Sequence, residues 1–421
     1  MLTNEKYNTY IQILKEELVP AMGCTEPISI AYASAKAKEV LGCMPTEAII
    51  GVSGNIVKNV KSVTVPHTGG MRGIKSAFIA GLVAGNPNDE LQVLANVSDE
   101  QIAQMKRIIE VFPVEITVPD DSLVFDVRVT LKANGHKAFV RIADTHTNIV
   151  QIKYDDKILF EHELLLKRVR ADRTMLNVED IIEFANNVKI EDVKDVLSRQ
   201  IDYNMAIAKE GLKNPYGANI GKTILKSYNN DIKIKAKAYA AAGSDARMNG
   251  CELPVIINSG SGNQGMTASI PVIVYAEEYN KTAEELYRAL CVSNLITNHL
   301  KTGIGTLSAY CGVVSAGAGA GCGIAYLLGG RYEEIAHTLV NTLAIDSGII
   351  CDGAKASCAA KIAMAVESGL LGLDMYYNGN QFYAGDGIVK RGVENTIKSV
   401  SRLAKEGMYQ TDKEIIKIMI E

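Results

Sequence analysis

The chain has 421 residues, of which 47% are apolar and 22% charged, and a formal net charge of −4. Its length exceeds what one hydrophobic core usually organises, so two domains are expected, and the composition excludes a disordered chain. Lys and Arg are scattered, which argues against a nucleic-acid partner, and charges interrupt every apolar stretch of MLTNEKYNTYIQILKEEL, so no signal-peptide core is read there and a cytoplasmic protein is expected.

Tyr7, Ile11, Leu14 and Leu18 share one helical face, and the helix they predict stops before Pro20. Pro27 suits the first turn of a second helix running through ISIAYASAKAKEVL, with Cys24 just ahead of its N-terminus. From Glu47 the texture changes to short β-type runs (EAIIGV, KSVTV, LQVLANV, VEITV), interrupted by helical stretches near 73–84 and 100–112. Leu123, Phe125, Val127, Val129 and Leu131 alternate with mostly polar neighbours; Asn134-Gly135 then supplies a hairpin turn and KAFVRIA returns. Beyond Asp180 helices dominate: DIIEFANNV, DVLSRQIDYNMAIAKEGL, TAEELYRALCVSNLI, EEIAHTLVNTLAI and NTIKSVSRLAKEGM.

This order reads as an α+β fold, a mainly α-helical domain with an inserted small α/β domain of sheet plus helices. The expected divisions are 1–45, 46–172 and 173–421. The charge-free run Gly312–Gly330 raises the question of a membrane span, but its Gly and Ala suit tight helix packing in a soluble core, and no membrane partner is expected. Glycine-rich helices and a half-covered sheet make a homodimer the expected assembly.

Eight cysteines in a reducing compartment point to buried thiols, nucleophiles or metal ligands rather than disulfides. Cys24, at a helix N-terminus, is expected to have a lowered pKa. Cys351, in ICDGAKASC, precedes Cys358 by seven residues, about 10 Å along a continuous helix and less if Asp352-Gly353 turns. Cys311 ends SAYCG, and Cys322 follows in the glycine-rich run; either can ligate. The spacing fits no zinc ribbon or ferredoxin, and Cys43, Cys251 and Cys291 read as core. No strand feeds the glycines of 317–323, which argues against a dinucleotide loop, and no lysine context marks pyridoxal phosphate. His67 and His146 stand in turns, PHTGGM and DTHTN, with hydroxyls and amides suited to a substrate carboxylate. His299 and Lys301 lie on the approach to Cys311; His136, His162 and His337 read as structural or surface.

Taken together, GCTEP, VPHTGGMRG, ADTHTNI, SGSGNQG, NHLKTGIGTLSAYCG and ICDGAKASC resemble the L-cysteine desulfidase family, which is related to the iron–sulfur L-serine dehydratases, over essentially the whole chain. The resemblance implies an oxygen-sensitive 4Fe-4S cluster held by Cys311, Cys351 and Cys358, with L-cysteine as substrate and sulfide, pyruvate and ammonia as products. It also implies that Cys24 is the catalytic proton acceptor; in the alternative assignment Cys24 is a ligand and Cys358 core. Serine dehydratases bind substrate with a serine-rich loop ending in His-Thr, and VPHTGGM resembles a reduced form that keeps His67, Thr68 and Gly69. His67 and His146 are read as catalytic-site groups that bind and orient the substrate, and with His299 and Lys301 they are the alternatives to Cys24 as base. Ser259, Ser261, Asn263 and Gln264 of SGSGNQG are expected to offer amides to the substrate carboxylate or to cluster sulfides. Three thiolates leave one iron open, as a catalytic metal site requires. L-Serine dehydration by the same cluster and a non-enzymatic cluster-based sensor of thiols or oxygen are the competing readings.

Overall fold

The computed structural model describes residues 2–162, 170–229, 231–305 and 308–420. Thr306 and Leu307 of the NHLKTGIGTLSAYCG motif therefore lie outside the described residues. The chain is mainly helical with one six-stranded mixed sheet. It begins with α1 (Asn4–Glu17), β1 (Pro20–Met22), α2 (Thr25–Leu41), β2 (Glu47–Val52), α3 (Gly54–Val60), α4 (Gly73–Ala84) and α5 (Asp99–Val111). The rest of the sheet follows as β3 (Val114–Thr117), β4 (Asp126–Ala133), β5 (His136–Ala143), β6 (Ile149–Tyr154) and β7 (Lys157–Glu161). Then come α6 (Val178–Asn187), α7 (Ile190–Lys213), α8 (Ile220–Ser227), α9 (Ile232–Met248), β8 (Pro254–Ile256), α10 (Gly262–Glu278) and α11 (Ala283–Ile304). The chain closes with α12 (Gly312–Leu327), α13 (Tyr332–Asp346), α14 (Cys358–Tyr377), α15 (Val393–Arg402) and α16 (Tyr409–Ile420).

Two hydrophobic cores form. In one, α1 packs with α6, α7 and α9 to α15, around α10 and α12, which are buried along most of their length. In the other, α2 lies on β4 and β5 and α4 packs against α2, so Ile28, Ile30, Phe78 and Ile79 share one core with Val127, Val129, Val140 and Ile142. The sheet order is β3-β2-β4-β5-β6-β7, parallel only between β2 and β3. Its central β4–β5 hairpin turns through Asn134 and Gly135, both at positive φ, as a two-residue turn matching the strand twist requires.

Two expected strands are absent. Residues 61–65 make only an isolated bridge, Thr64 to Arg72, and 91–97 lie in the end of a 3-10 helix and the turns after it. Val63, Val65, Val93 and Leu94 are buried all the same, so these apolar runs were signalling burial and not strand geometry.

The glycine-rich run is α12, a core helix. A Cβ on Gly319 would stand 2.3 Å from Thr297 Oγ1 and 2.5 Å from the Ser293 carbonyl, so glycine lets α12 lie directly on α11. No helix among the described residues is long and apolar enough to cross a membrane.

Candidate active site

Two short pairings assemble the site. β1 pairs antiparallel with β8, Pro20 opposite Ile256. Cys24 and the 259–264 loop each follow one of these strands by a few residues, so distant stretches of chain emerge side by side. Similarly, an isolated bridge joins Tyr310 to Ile350, with Cys311 N donating to the Ile349 carbonyl (3.1 Å) and Cys351 N to the Ala309 carbonyl (2.6 Å). That bridge sets Cys311 beside Cys351. Asp352-Gly353 turns, and no continuous helix joins Cys351 to Cys358: residues 351–357 are loop and α14 begins at Cys358. At Gly353, φ is +97° and a Cβ would stand 2.0 Å from the Lys58 carbonyl, so only glycine lets this loop close on α3.

The result is a cavity of about 110 Å³ between the two cores, several times the roughly 10–15 Å³ that one water takes. Cys24, His146, Ser259, Ser261, Asn263, Gln264, Cys311, Cys351 and Cys358 all border it. Four helices point their N-terminal turns at it: α2 behind Cys24, α10 behind Ser261, α12 behind Cys311, and α14 starting at Cys358. None of the four N-caps makes a side-chain cap bond. Converging helix N-termini create positive potential suited to thiolates and anionic ligands. Lys58, Arg247 and Lys301 add to it, against the single carboxylate of Glu26.

Cys24 departs from its expectation. It does sit at the N-cap of α2, yet its thiol is pushed well above the ordinary range, first by complete burial and then by the Glu26 carboxylate. Cys24 Sγ donates to Glu26 Oε2 at 3.0 Å. Glu26 also accepts from Thr25 Oγ1 (3.1 Å) and, at Oε1, from Asn59 Nδ2 (3.0 Å). Burial opposes its ionisation, but His146, the hydrogen bonds from Cys24 and from its own backbone amide, and Arg247 hold it below the usual carboxylate range. The His146 contribution requires an imidazolium, whereas burial keeps that ring neutral near pH 7; the hydrogen bonds and Arg247 persist without it. Glu26 is thus an ionised proton acceptor hydrogen-bonded to a neutral thiol.

Cys351 lies below the ordinary thiol range because it accepts a hydrogen bond from Cys311, with Lys58 assisting against burial. Cys311, which keeps the shared proton, is raised first by that hydrogen bond to Cys351 and then by burial, and Cys358 is raised by burial. Lys301 is lowered to about 8 by burial, opposed by Cys351 and Cys311. Lys58, itself fully buried, is ion-paired with Asp412 of α16, tying the C-terminal helix to the site.

His67, Thr68 and Gly69 do not border the cavity. His67 Nδ1 faces Glu252 (3.2 Å), and the Thr68 hydroxyl is spent within its own turn, donating to the Val65 carbonyl (2.7 Å) and accepting from Met71 N (3.2 Å). Pro66 packs against Gly23 instead, so this loop supports the turn that presents Cys24. His299 likewise turns away, to Glu394 (2.8 Å). Sequence reasoning missed Glu26, Asn59, Lys58 and Arg247. Glu26 stood inside GCTEP, two residues from Cys24; the other three carry no local signal.

Cys311, Cys351 and Cys358 border one cavity, and three soft thiol donors are the ligand type that iron–sulfur clusters take. Among the described residues no three His, Cys, Asp or Glu side chains stand close enough together to hold a single metal ion.

A family model described as serine dehydratase alpha chain matches residues 88–417, a span that includes all three of these cysteines. The chain is 58% identical to a UPF0597 protein of Desulfitobacterium hafniense over 416 residues, covering 98% of this chain and 97% of that protein. It is 51% identical to one of Lachnoclostridium phytofermentans (98% and 100% covered) and 36% identical to one of Actinobacillus pleuropneumoniae (99% and 98%). The chain therefore belongs to the serine dehydratase alpha chain family, together with the UPF0597 proteins, and its domain is that of a lyase-type enzyme.

Proposed function

We propose that this protein eliminates sulfide from L-cysteine, giving pyruvate, ammonia and hydrogen sulfide, with a 4Fe-4S cluster carried by Cys311, Cys351 and Cys358. The observation that carries the reading is the meeting of those three thiols, from two separate segments, on one cavity. When bound, such a cluster supplies a Lewis-acidic iron with an open position, for which a substrate sulfur is a well-matched soft donor. The four helix N-termini, Lys58 and Lys301 lower the cost of gathering thiolates there.

Cys24 is the proposed proton acceptor. Because its own proton can pass to Glu26, the thiol need not be ionised at rest: as the substrate α-proton moves to Cys24 Sγ, the original thiol proton moves to Glu26 Oε2. The electron pair of the Cα–H bond becomes the Cα=Cβ double bond, and the Cβ–S pair leaves with sulfur. The aminoacrylate tautomerises and is hydrolysed to pyruvate and ammonia. His146, whose buried Nε2 has no partner, is proposed to orient the substrate, and the 261–264 turn to offer amides. His67 and Thr68 contribute from behind, through the Pro66–Gly23 contact.

L-Serine dehydration at the same site is the second reading, favoured by the description of the matching family. Anaerobically reconstituted protein is expected to release equal amounts of sulfide and pyruvate from L-cysteine without pyridoxal phosphate, faster than pyruvate from L-serine in the same assay. A full cluster with no L-cysteine turnover ends the first reading, and a preference for L-serine replaces it with the second.

A further inference from the structure

Arg247 ends α9 and is 3% exposed. Its guanidinium borders the cavity, yet its only hydrogen-bonding partner among the described residues is neutral, Asn263 Oδ1, at 3.2 Å from Nη1. Nε is buried with no partner. No carboxylate among the described residues forms an ion pair with it. Glu26 shares the cavity but does not touch Arg247, and a buried guanidinium with unfilled N–H donors and no carboxylate in contact is costly unless a bound anion completes it. The neighbouring backbone accommodates this placement: a Cβ on Gly262 would stand 2.4 Å from Arg247 Nε, so the first residue of α10 is glycine where the guanidinium lies.

We propose that Arg247 is the seat of the substrate's α-carboxylate and the residue that restricts the site to α-amino acids, an inference that rests on the reading of this cavity as a lyase site. A planar guanidinium matches a carboxylate through paired N–H donors. The location fits the chemistry as well. In an α-amino acid the carboxylate is one bond from the α-carbon, so its anchor must adjoin the group that takes the α-proton. Met248, the next residue, packs against Cys24 and Cys358 in one apolar cluster, and Arg247 acts electrostatically on Cys24, Glu26 and His146. Carboxylate, α-carbon and sulfur would then run from Arg247 past Cys24 toward the three cysteines. Thiols without a carboxylate would lack this anchor.

The test uses full-length, anaerobically reconstituted protein with Arg247→Gln and Arg247→Lys. Iron and sulfide content, KM and kcat for L-cysteine, inhibition by cysteamine, and protection against thermal unfolding by pyruvate are measured on each. The expected result is unchanged cluster content, a KM for L-cysteine raised roughly 30-fold or more in Arg247→Gln, the lower end for loss of a buried charge pair, and an intermediate KM in Arg247→Lys. Cysteamine inhibition stays as in the wild type, and pyruvate protection disappears in Arg247→Gln. An unchanged KM with an intact cluster overturns the proposal, as does a cysteamine effect as large as that on L-cysteine, since that marks a structural role. If Arg247→Gln does not fold, Arg247→Lys decides, and an unaltered KM there overturns it. Should the loaded wild type fail to turn over L-cysteine, the desulfidase reading falls by itself. Pyruvate protection that Arg247→Gln abolishes still supports the carboxylate seat; protection absent from the wild type or equal in both overturns it.

Discussion

Glu26→Gln tests the proton-relay reading at a single atom. Glu26 receives three hydrogen bonds, from Cys24, Thr25 and Asn59, at 3.0, 3.1 and 3.0 Å. Glutamine preserves the shape but offers one acceptor oxygen where the carboxylate offered two, so its amide nitrogen must face a donor. Leaving one buried donor unsatisfied costs about 1–3 kcal/mol of stability, which a protein of this size survives. The effect on chemistry is larger. Without the carboxylate, Cys24 has nowhere to send its proton, and loss of general-base assistance lowers kcat by roughly 10²–10⁴-fold. Steady-state pyruvate formation from L-cysteine, with iron and acid-labile sulfide measured on the same samples, reads both quantities. A kcat within about threefold of wild type at equal cluster content would refute the relay.

Cys24→Ser is expected to keep full iron content while losing activity; loss of iron would make Cys24 a ligand and not the proton acceptor. Gly319→Ala forces a methyl group against Thr297 and Ser293, so it should cost about 1–3 kcal/mol and lower the thermal midpoint by several degrees, and an unchanged midpoint contradicts the packing of α12 on α11. Asp245 has its pKa raised to about 6 by burial, although it accepts from Gly221 N at the start of α8 (2.9 Å). Since the folded state holds that proton more tightly than the unfolded chain, Asp245 contributes stability below about pH 4 that is lost as pH rises through 6. Asp245→Asn should flatten the pH dependence of unfolding free energy in that window, and an unaltered slope in denaturant titrations argues against the assignment.

Helix α1, the β4–β5 hairpin and most later helices were legible because their periodicities are long and their turns carry Asn-Gly, Gly or Pro. The cysteines and the 259–264 loop were legible as candidates because glycine-rich joints and thiols at helix starts are local signals. What joins them was not. β1 and β8 are three residues each, too short for alternation to register, and the Tyr310–Ile350 bridge is a single pair. Local logic also predicted the wrong direction for the Cys24 thiol, because burial and Glu26 outweigh the helix terminus. Arg247, in DARMNG, has no neighbour in sequence that marks it; only its unfilled donors and lack of a contacting carboxylate in the folded cavity do.

Iron and acid-labile sulfide determination on anaerobically reconstituted protein tests the central assignment most directly. The wild type should carry about four of each per chain, as a 4Fe-4S cluster contains, and Cys311→Ser, Cys351→Ser and Cys358→Ser should each lose most of it while Cys322→Ser does not. Full iron and sulfide in all three of those variants, with the protein folded, would contradict it.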